Sequence, residues 1–308
     1  MAKRREEPDA PNRLNRIAKK TDICFNIIFA VLALMCIIPV IFIFIISISS
    51  EESIRHIGYR FIPESFSADS YIFLFREADM ILRALGVSFV VTIVGTALGV
   101  MLTTMMGYVM SRSNYRLNGL CTMIVFIPMI FNGGMLSSYV VNTQLLHLKD
   151  SIWALILPLL VSSFNVVICK TFFKTNIPDS VMESAQIDGA TQFTIFGKIV
   201  LPLAKPLLAT IALFLTFGYW NDWFQSSLYI TNTKLYSLQA LLDHVQRSIE
   251  MMANNPTMGV TMTEYMNSMP KEGARMAMAI LIIVPIACTY PFFQRYFISG
   301  LTVGSVKG

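Results

Sequence analysis

CFNIIFAVLALMCIIPVIFIFIIS, residues Cys24–Ser47, runs for 24 positions without a charge. Wound as a helix at about 1.5 Å per residue it is about 36 Å long, enough to cross a bilayer core of roughly 30 Å. The apolar region of a secretory signal is only about 7–15 residues, so this run reads as a retained span. A polar tail, residues 1–23, precedes it and carries Lys3, Arg4, Arg5, Arg13, Arg16, Lys19 and Lys20.

Five further apolar runs follow, at about Ala84–Met110, Leu117–Met135, Ser151–Phe173, Leu203–Phe224 and Arg275–Phe297. The spacing predicts an all-α membrane protein with six transmembrane helices. Prolines recur in or beside the runs (Pro39, Pro128, Pro158, Pro206, Pro285, Pro291), which neighbouring spans tolerate by re-satisfying the freed carbonyls. Composition agrees: 55% of the 308 residues are hydrophobic and only 14% charged, against about 25% charged in a soluble chain. Placing the N-terminus inside puts fifteen of the 24 lysines and arginines on the cytoplasmic side and nine outside, an N-in, C-in topology. The net charge of +5 is carried mostly outside the spans in no groove-reading pattern, so no nucleic acid is expected.

Catalytic and cofactor signatures are missing. There is no HExxH, no GxSxG and no phosphate loop, since Gly197-Lys198 is followed by Ile199. His56, His147 and His244 fall in three separate outer segments without ligand spacing, so no metal is expected. The five cysteines lie singly in apolar runs and read as small hydrophobes. The spans lack the carboxylate or histidine chain of a proton-coupled carrier; Asp222, near the outer end of the fifth, is the nearest approach. Energy for uphill transport must therefore come from a partner.

The inner loop between the fourth and fifth spans is far longer than a connection requires: NIPDSVMESAQIDGATQFTIFGKIVLP, Asn176–Pro202. Ser180 with Glu183 three residues on fits a capping box that starts a helix near Val181. Gly189 can close that helix in the left-handed conformation, Thr191 can cap a second short helix, and Pro202 stops it or opens the fifth span. The expected result is a helix–glycine–helix elbow on the cytoplasmic face, too polar to insert and shaped for docking. Two outer segments are also long. One, about Ile48–Arg83, holds six acidic residues; the other, about Gln225–Ala274, includes a methionine-rich stretch, Met251–Met269. The second reads equally as a functional surface or as an amphipathic helix resting on the membrane. At the outer end of the fifth span Tyr219, Trp220, Asn221, Trp223 and Phe224 gather rings and an amide, suited either to stacking and hydrogen bonding a sugar or to an interfacial aromatic belt. Gly95 and Gly99 form a GxxxG pair that permits close helix contact.

Glu183-Ser-Ala-Gln-Ile-Asp188-Gly189-Ala190, with Phe196, Ile199, Leu201-Pro202 and Pro206, resembles the EAA loop of binding-protein-dependent ABC importer permeases. Trp220-Asn221-Asp222-Trp223-Phe224 looks like the same region of maltose-type carbohydrate permeases, and Gln294–Gly308 is similar to the tail of MalG-like subunits. Ser184 departs from the alanine common in the family but stays small. The resemblance implies a type I importer permease fold in a bacterial cytoplasmic (inner) membrane, organised as a tail at 1–23, a permease domain at 24–298 with a coupling loop at 178–202 and an outer loop at 225–274, and a tail at 299–308. It implies a non-catalytic subunit that binds no cofactor, works with a second homologous permease subunit, and relies on two ATPase subunits that hold ATP and Mg. An extracytoplasmic solute-binding protein would meet the loop at 225–274. Glu183, Ser184, Ala185, Asp188, Gly189 and Ala190 would couple to the ATPase, with Glu183 pairing a basic group there, and Tyr219, Trp220, Asn221 and Trp223 would line the path of an oligosaccharide or polysaccharide fragment. The alternatives are a permease of the same build for a peptide or polyamine, and a membrane enzyme or scaffold.

Overall fold

A computed structural model describes residues 19–112, 114–254 and 270–304, with backbone alone at 249, 252–254 and 295–304. The basic residues of 1–18, most of Met251–Met269 and the closing positions 305–308 of the tail motif lie outside the described residues. Regular structure among them is helical apart from one antiparallel bridge, Ser49 to Phe66.

The first apolar run forms helix α1 (Lys19–Ser47). Its apolar side chains are exposed along almost the whole length, and it packs mainly on the C-terminal helix. Hydrophobic on all sides, such a helix is stable only where lipid replaces water. Short helices α2 (Glu51–Ile57) and α3 (Asp69–Arg76) fill the first outer segment. Helix α4 (Ala78–Ser111) then crosses as a single 34-residue rod.

The third run departs from expectation. The Leu117–Met135 stretch was expected to cross in one piece, but α5 (Asn118–Ile130) has 13 residues and spans about 20 Å. The reason is local. Asn132 accepts the Gly134 N–H through its side-chain oxygen at 2.8 Å, and Gly134 takes φ +79°, so the backbone turns and restarts as α6 (Gly134–Val140) with a π turn to Leu145. The fourth run is also broken: α7 (Ile152–Ile156) with the turn Leu157–Leu159, then α8 (Ser163–Asn176) at 49° to it. Pro158 supplies the break by lacking an N–H. After α9 (Asp179–Ile187) and α10 (Gln192–Ile195), a helical run to Leu203 (its last turn α11, Leu201–Leu203) bends 84° into α12 (Lys205–Trp220). Helices α13 (Phe224–Tyr229) and α14 (Leu238–Asn254) follow, and α15 (Lys271–Gly304) runs through both Pro285 and Pro291. Three of these helices are long and apolar enough to cross a membrane, and five if each bent pair is one span.

Helix α4 is the hub, packed against α7, α8 and α12. Its glycines make the approach possible. A Cβ on Gly95 would lie inside the Tyr219 ring, one on Gly99 would stand 2.8 Å from Leu215 and 2.9 Å from the Leu160 carbonyl, and one on Gly107 would overlap Cys169. The GxxxG spacing is thus used for close helix packing, and Gly107 extends it by two turns. A second cluster joins the outer ends: Trp220, Leu238, Leu241, Met278 and Ile282 are buried together, with Trp220 Nε1 donating to the Ile282 carbonyl at 3.0 Å. Helix α14 thereby turns its apolar face to α4 and α15 instead of to a membrane surface; the Leu238 N–H donates to Ser88 Oγ at 2.8 Å. The first outer segment is tied to the start of α15, where Tyr59 OH donates to Glu272 Oε2 at 2.6 Å.

Candidate functional site

The inner loop folds as a helix–glycine–helix elbow. Helix α9 begins at Asp179, not near Val181, because Pro178 sits at the cap with extended backbone (φ −61°, ψ 143°) and is pre-organised for that position. The expected capping box is therefore not made. Ser180 falls inside the first turn, where its carbonyl accepts the Ser184 hydroxyl at 2.8 Å. Gly189 ends the helix at φ +82°, and the following N–H, of Ala190, reaches back to the Ala185 carbonyl at 2.9 Å. A Cβ at Gly189 would meet nothing within 4 Å, so the position demands glycine for its backbone and not for space. Thr191 caps α10, its Oγ1 accepting the Thr194 N–H at 3.3 Å. Pro202 neither stops the second arm nor opens the span; it lies in the final turn, and the chain swings at Ala204 with Pro206 starting α12.

The two faces of the elbow differ. Met182 and Ala185, three positions apart, are buried against the spans, so Ala185 is a packing residue. Glu183, Ser184, Asp188 and Gly189 are exposed, and Ala190 is half-buried. Beside them Ile187 is 87% exposed and Phe193 80%, among the most exposed large apolar side chains of the structure. Reading by motif passed over both, although an isoleucine before Asp188-Gly189 and a phenylalanine two residues past the cap were visible as apolar residues in a polar loop. At the end of the bundle, outside the apolar runs, such side chains suit a protein partner.

Arg112, the residue that ends α4, holds the elbow from behind. Its guanidinium donates to Asp179 Oδ1 at 2.7 Å, to Met182 Sδ at 2.8 Å and to the Phe173 carbonyl at 3.4 Å, and lies 5.1 Å from the Tyr108 ring centroid. Between α4 and the elbow lies a cavity of about 490 Å³ lined by Met105, Tyr108, Arg112, Met182, Gln186 and Phe196.

At the other end the four residues expected along the path part company. Tyr219 and Trp220 are buried and their donors are taken, Tyr219 OH by the Ile156 carbonyl at 2.8 Å and Trp220 by Ile282. Asn221 and Trp223 are exposed; the Asn221 amide bonds back to Phe217, and Arg247 sits 5.5 Å from the Trp223 ring centroid. Nearby an open cleft of about 610 Å³ is lined by Asn132, Ser138, Asn142, Phe224, Gln225 and Tyr229. Asp222, in the turn beyond α12, accepts the Gln225 N–H at 3.2 Å; burial pushes its carboxyl up to about 6 against that backbone donor and the one of Phe224. Asp150 pins the segment after α13, accepting the Thr231 hydroxyl and the Thr231 and Asn232 N–H groups, which hold its carboxyl below the usual range. No group of three or more His, Cys, Asp or Glu able to hold a metal occurs among the described residues.

Apolar helices long enough to cross a membrane gather around a glycine-lined hub, with a polar elbow raised on one end. Residues 95–303 match the family described as binding-protein-dependent transport system inner membrane component, and the chain belongs to it. It is 36% identical to Protein LplC of Bacillus subtilis over 287 residues, 93% of this chain and 95% of the relative. It is 37% identical to the polygalacturonan/rhamnogalacturonan transport system permease protein YtcP of the same organism, covering 90% and 94%. Among solved structures it resembles a chain of a bacterial ABC transporter involved in the import of the acidic polysaccharide alginate, at TM-score 0.76 and 26% identity, covering 92% of this chain and all of that one. The protein is the non-catalytic, multi-pass permease subunit of a carbohydrate-uptake ABC importer of the inner membrane.

Proposed function

We propose that this chain forms half of the translocation path for an oligosaccharide or polysaccharide fragment and takes its driving force through the elbow at 178–202. The face made by Glu183, Ile187, Asp188 and Phe193 would seat in a cleft of one of two ATPase subunits, which hold ATP and Mg. A second, related permease would supply the other half of the path, and an extracytoplasmic binding protein would deliver the solute to the outer loops. In this reading the chain crosses six times with both ends inside, α5–α6, the bent pair α7–α8 and α12 each serving as one crossing, consistent with the surplus of lysine and arginine on that side. Substrate class rests on the relatives, two of which are named for polysaccharides.

The observation that supports the coupling role is the exposure of Ile187 and Phe193 on an elbow whose bend is set by Gly189 and Thr191. The test is Gly189→Trp in the complete importer reconstituted in vesicles. Space at Gly189 is open, so the indole meets no neighbour, while φ +82° makes any side chain strain the bend, which places the perturbation in the elbow itself. Insertion and assembly should persist while solute uptake per ATP hydrolysed falls by about tenfold or more. Uptake and hydrolysis both at wild-type ratio would remove the elbow from the coupling path.

A further inference from the structure

We propose that Arg112 is a second mechanical link from the elbow into the spans, gripping α9 at Asp179 and Met182 and passing its displacement directly to α4. The inference rests on the elbow being the coupling element. The chain itself ties the elbow to α8 through Ile177–Pro178 and to α12 across an 84° bend at Ala204. Neither connection reaches α4, the hub of the bundle; Arg112 does.

Its contacts are those of a clamp. Beyond the bonds to Asp179, Met182 and Phe173, Nε donates to Ser111 Oγ at 3.0 Å, and the Arg112 carbonyl accepts the Asn118 amide at 2.9 Å. One residue thereby joins the end of α4, the end of α8 and the start of α9 through its side chain, and the start of α5 through its carbonyl. The Arg112 side chain is 17% exposed while that of Asp179 is 64%. An ion pair on an open surface contributes little, but a planar guanidinium held by stacking on Tyr108 and by several acceptors is already fixed when the carboxylate arrives. The cavity behind the elbow sharpens the point. Because about 490 Å³ there is not filled by packing, the elbow meets α4 through a small set of contacts: Arg112, the Tyr108 OH to Met182 Sδ bond at 3.6 Å and the Tyr108–Phe196 ring pair at 5.2 Å. From α4 the displacement reaches α12 and α8 at once, since Tyr219, Leu215 and Cys169 are seated directly on its glycines. Acting through Asp179, Met182 and α4, Arg112 is a positioning residue.

The experiment uses the complete importer in proteoliposomes and reads uptake per ATP hydrolysed, hydrolysis rate and yield of assembled complex. Arg112→Gln should lower uptake per ATP about five- to tenfold with hydrolysis largely retained, Asp179→Ala about two- to threefold, and Arg112→Lys should recover part of the loss because it restores the charge without the fork. A merely structural Arg112 would lower the yield and leave the ratio per complex at the wild-type value, which overturns the proposal. Should Arg112→Gln not assemble, Asp179→Ala decides, because its exposed side chain can be removed without opening the core; an unchanged ratio there is equally fatal. If Gly189→Trp uncouples while the Arg112 and Asp179 variants keep the wild-type ratio, the second link alone falls. If all three keep it, the elbow reading falls and takes the link with it.

Discussion

Gly95→Ala is a one-methyl change where α4 and α12 approach each other closely, and its cost is set by Tyr219. Ring carbons of Tyr219 lie 2.6 and 2.8 Å from the position the new Cβ would take, and a third lies closer still. Ordinary contact begins near 3.4 Å, so the ring must withdraw by about 1 Å. It is not free to do so, because its hydroxyl is held by the buried Ile156 carbonyl at 2.8 Å. Overpacking costs about 1–3 kcal/mol and a broken buried hydrogen bond about 1–3 more, offset by about 1 kcal/mol of helix propensity gained over glycine. The net expectation is a loss of about 1–5 kcal/mol, read by equilibrium denaturation in detergent. Tyr219→Phe alone should also destabilise, since it leaves the Ile156 carbonyl unpartnered. Combined, the two should cost less than their sum by about 1 kcal/mol, because a phenylalanine ring can shift with no bond left to lose. A neutral Gly95→Ala, or strict additivity of the pair, would refute the close-packing account of α4 and α12.

Gly189→Ala should cost about 1–2 kcal/mol of local strain and lower uptake, while Gly189→Asn should recover most of the loss, because asparagine tolerates the left-handed backbone and the space is open; transport assays on the two variants check this. For Asp222 the folded carboxyl titrates at about 6 against 3.8 in the unfolded chain, so the fold is favoured at acid pH and loses that contribution as pH rises through 6. Asp222→Asn should be increasingly more stable than the wild type from about pH 4 to about pH 6.5, by ~2 kcal/mol at the upper end, in a pH series of thermal midpoints; the opposite sign would rule out burial as the cause. Asp150→Ala should speed hydrogen exchange at the Thr231 and Asn232 amides by about tenfold with little change elsewhere, and in the wild type the same acceleration should appear as pH falls below the usual carboxylate range.

The elbow was the most legible part of the chain, because its signals are backbone chemistry: a glycine where φ must be positive and a threonine where a cap is needed. The capping box failed for a similar local reason, since Pro178 is a sufficient start and leaves Ser180 two positions past the cap, inside the first turn. Span boundaries were legible where hydropathy alone decides, as in α1 and α4. They were not legible at Asn132-Gly133-Gly134, where a side-chain turn interrupts an apolar run without changing its hydropathy. Tyr219 and Trp220 read as path residues because an aromatic cluster has no direction in one dimension. Only the packing reveals that both point into helix interfaces while Asn221 and Trp223 point out. Arg112 counted in the sequence as one more positive charge inside; its partner lies 67 positions away, and nothing short of the fold brings the two together.

The three glycines of α4 also constrain how this molecule can change shape. With tyrosine, leucine and cysteine side chains resting on bare backbone, α4, α8 and α12 meet at a seam too close for one helix to slide past another without a collision. In the proposed transport cycle, a change between inward and outward openings would be absorbed at the knuckles of the chain, at Asn132–Gly134, around Leu160–Ser162 and at Ala204, while the seam would travel as a single keel.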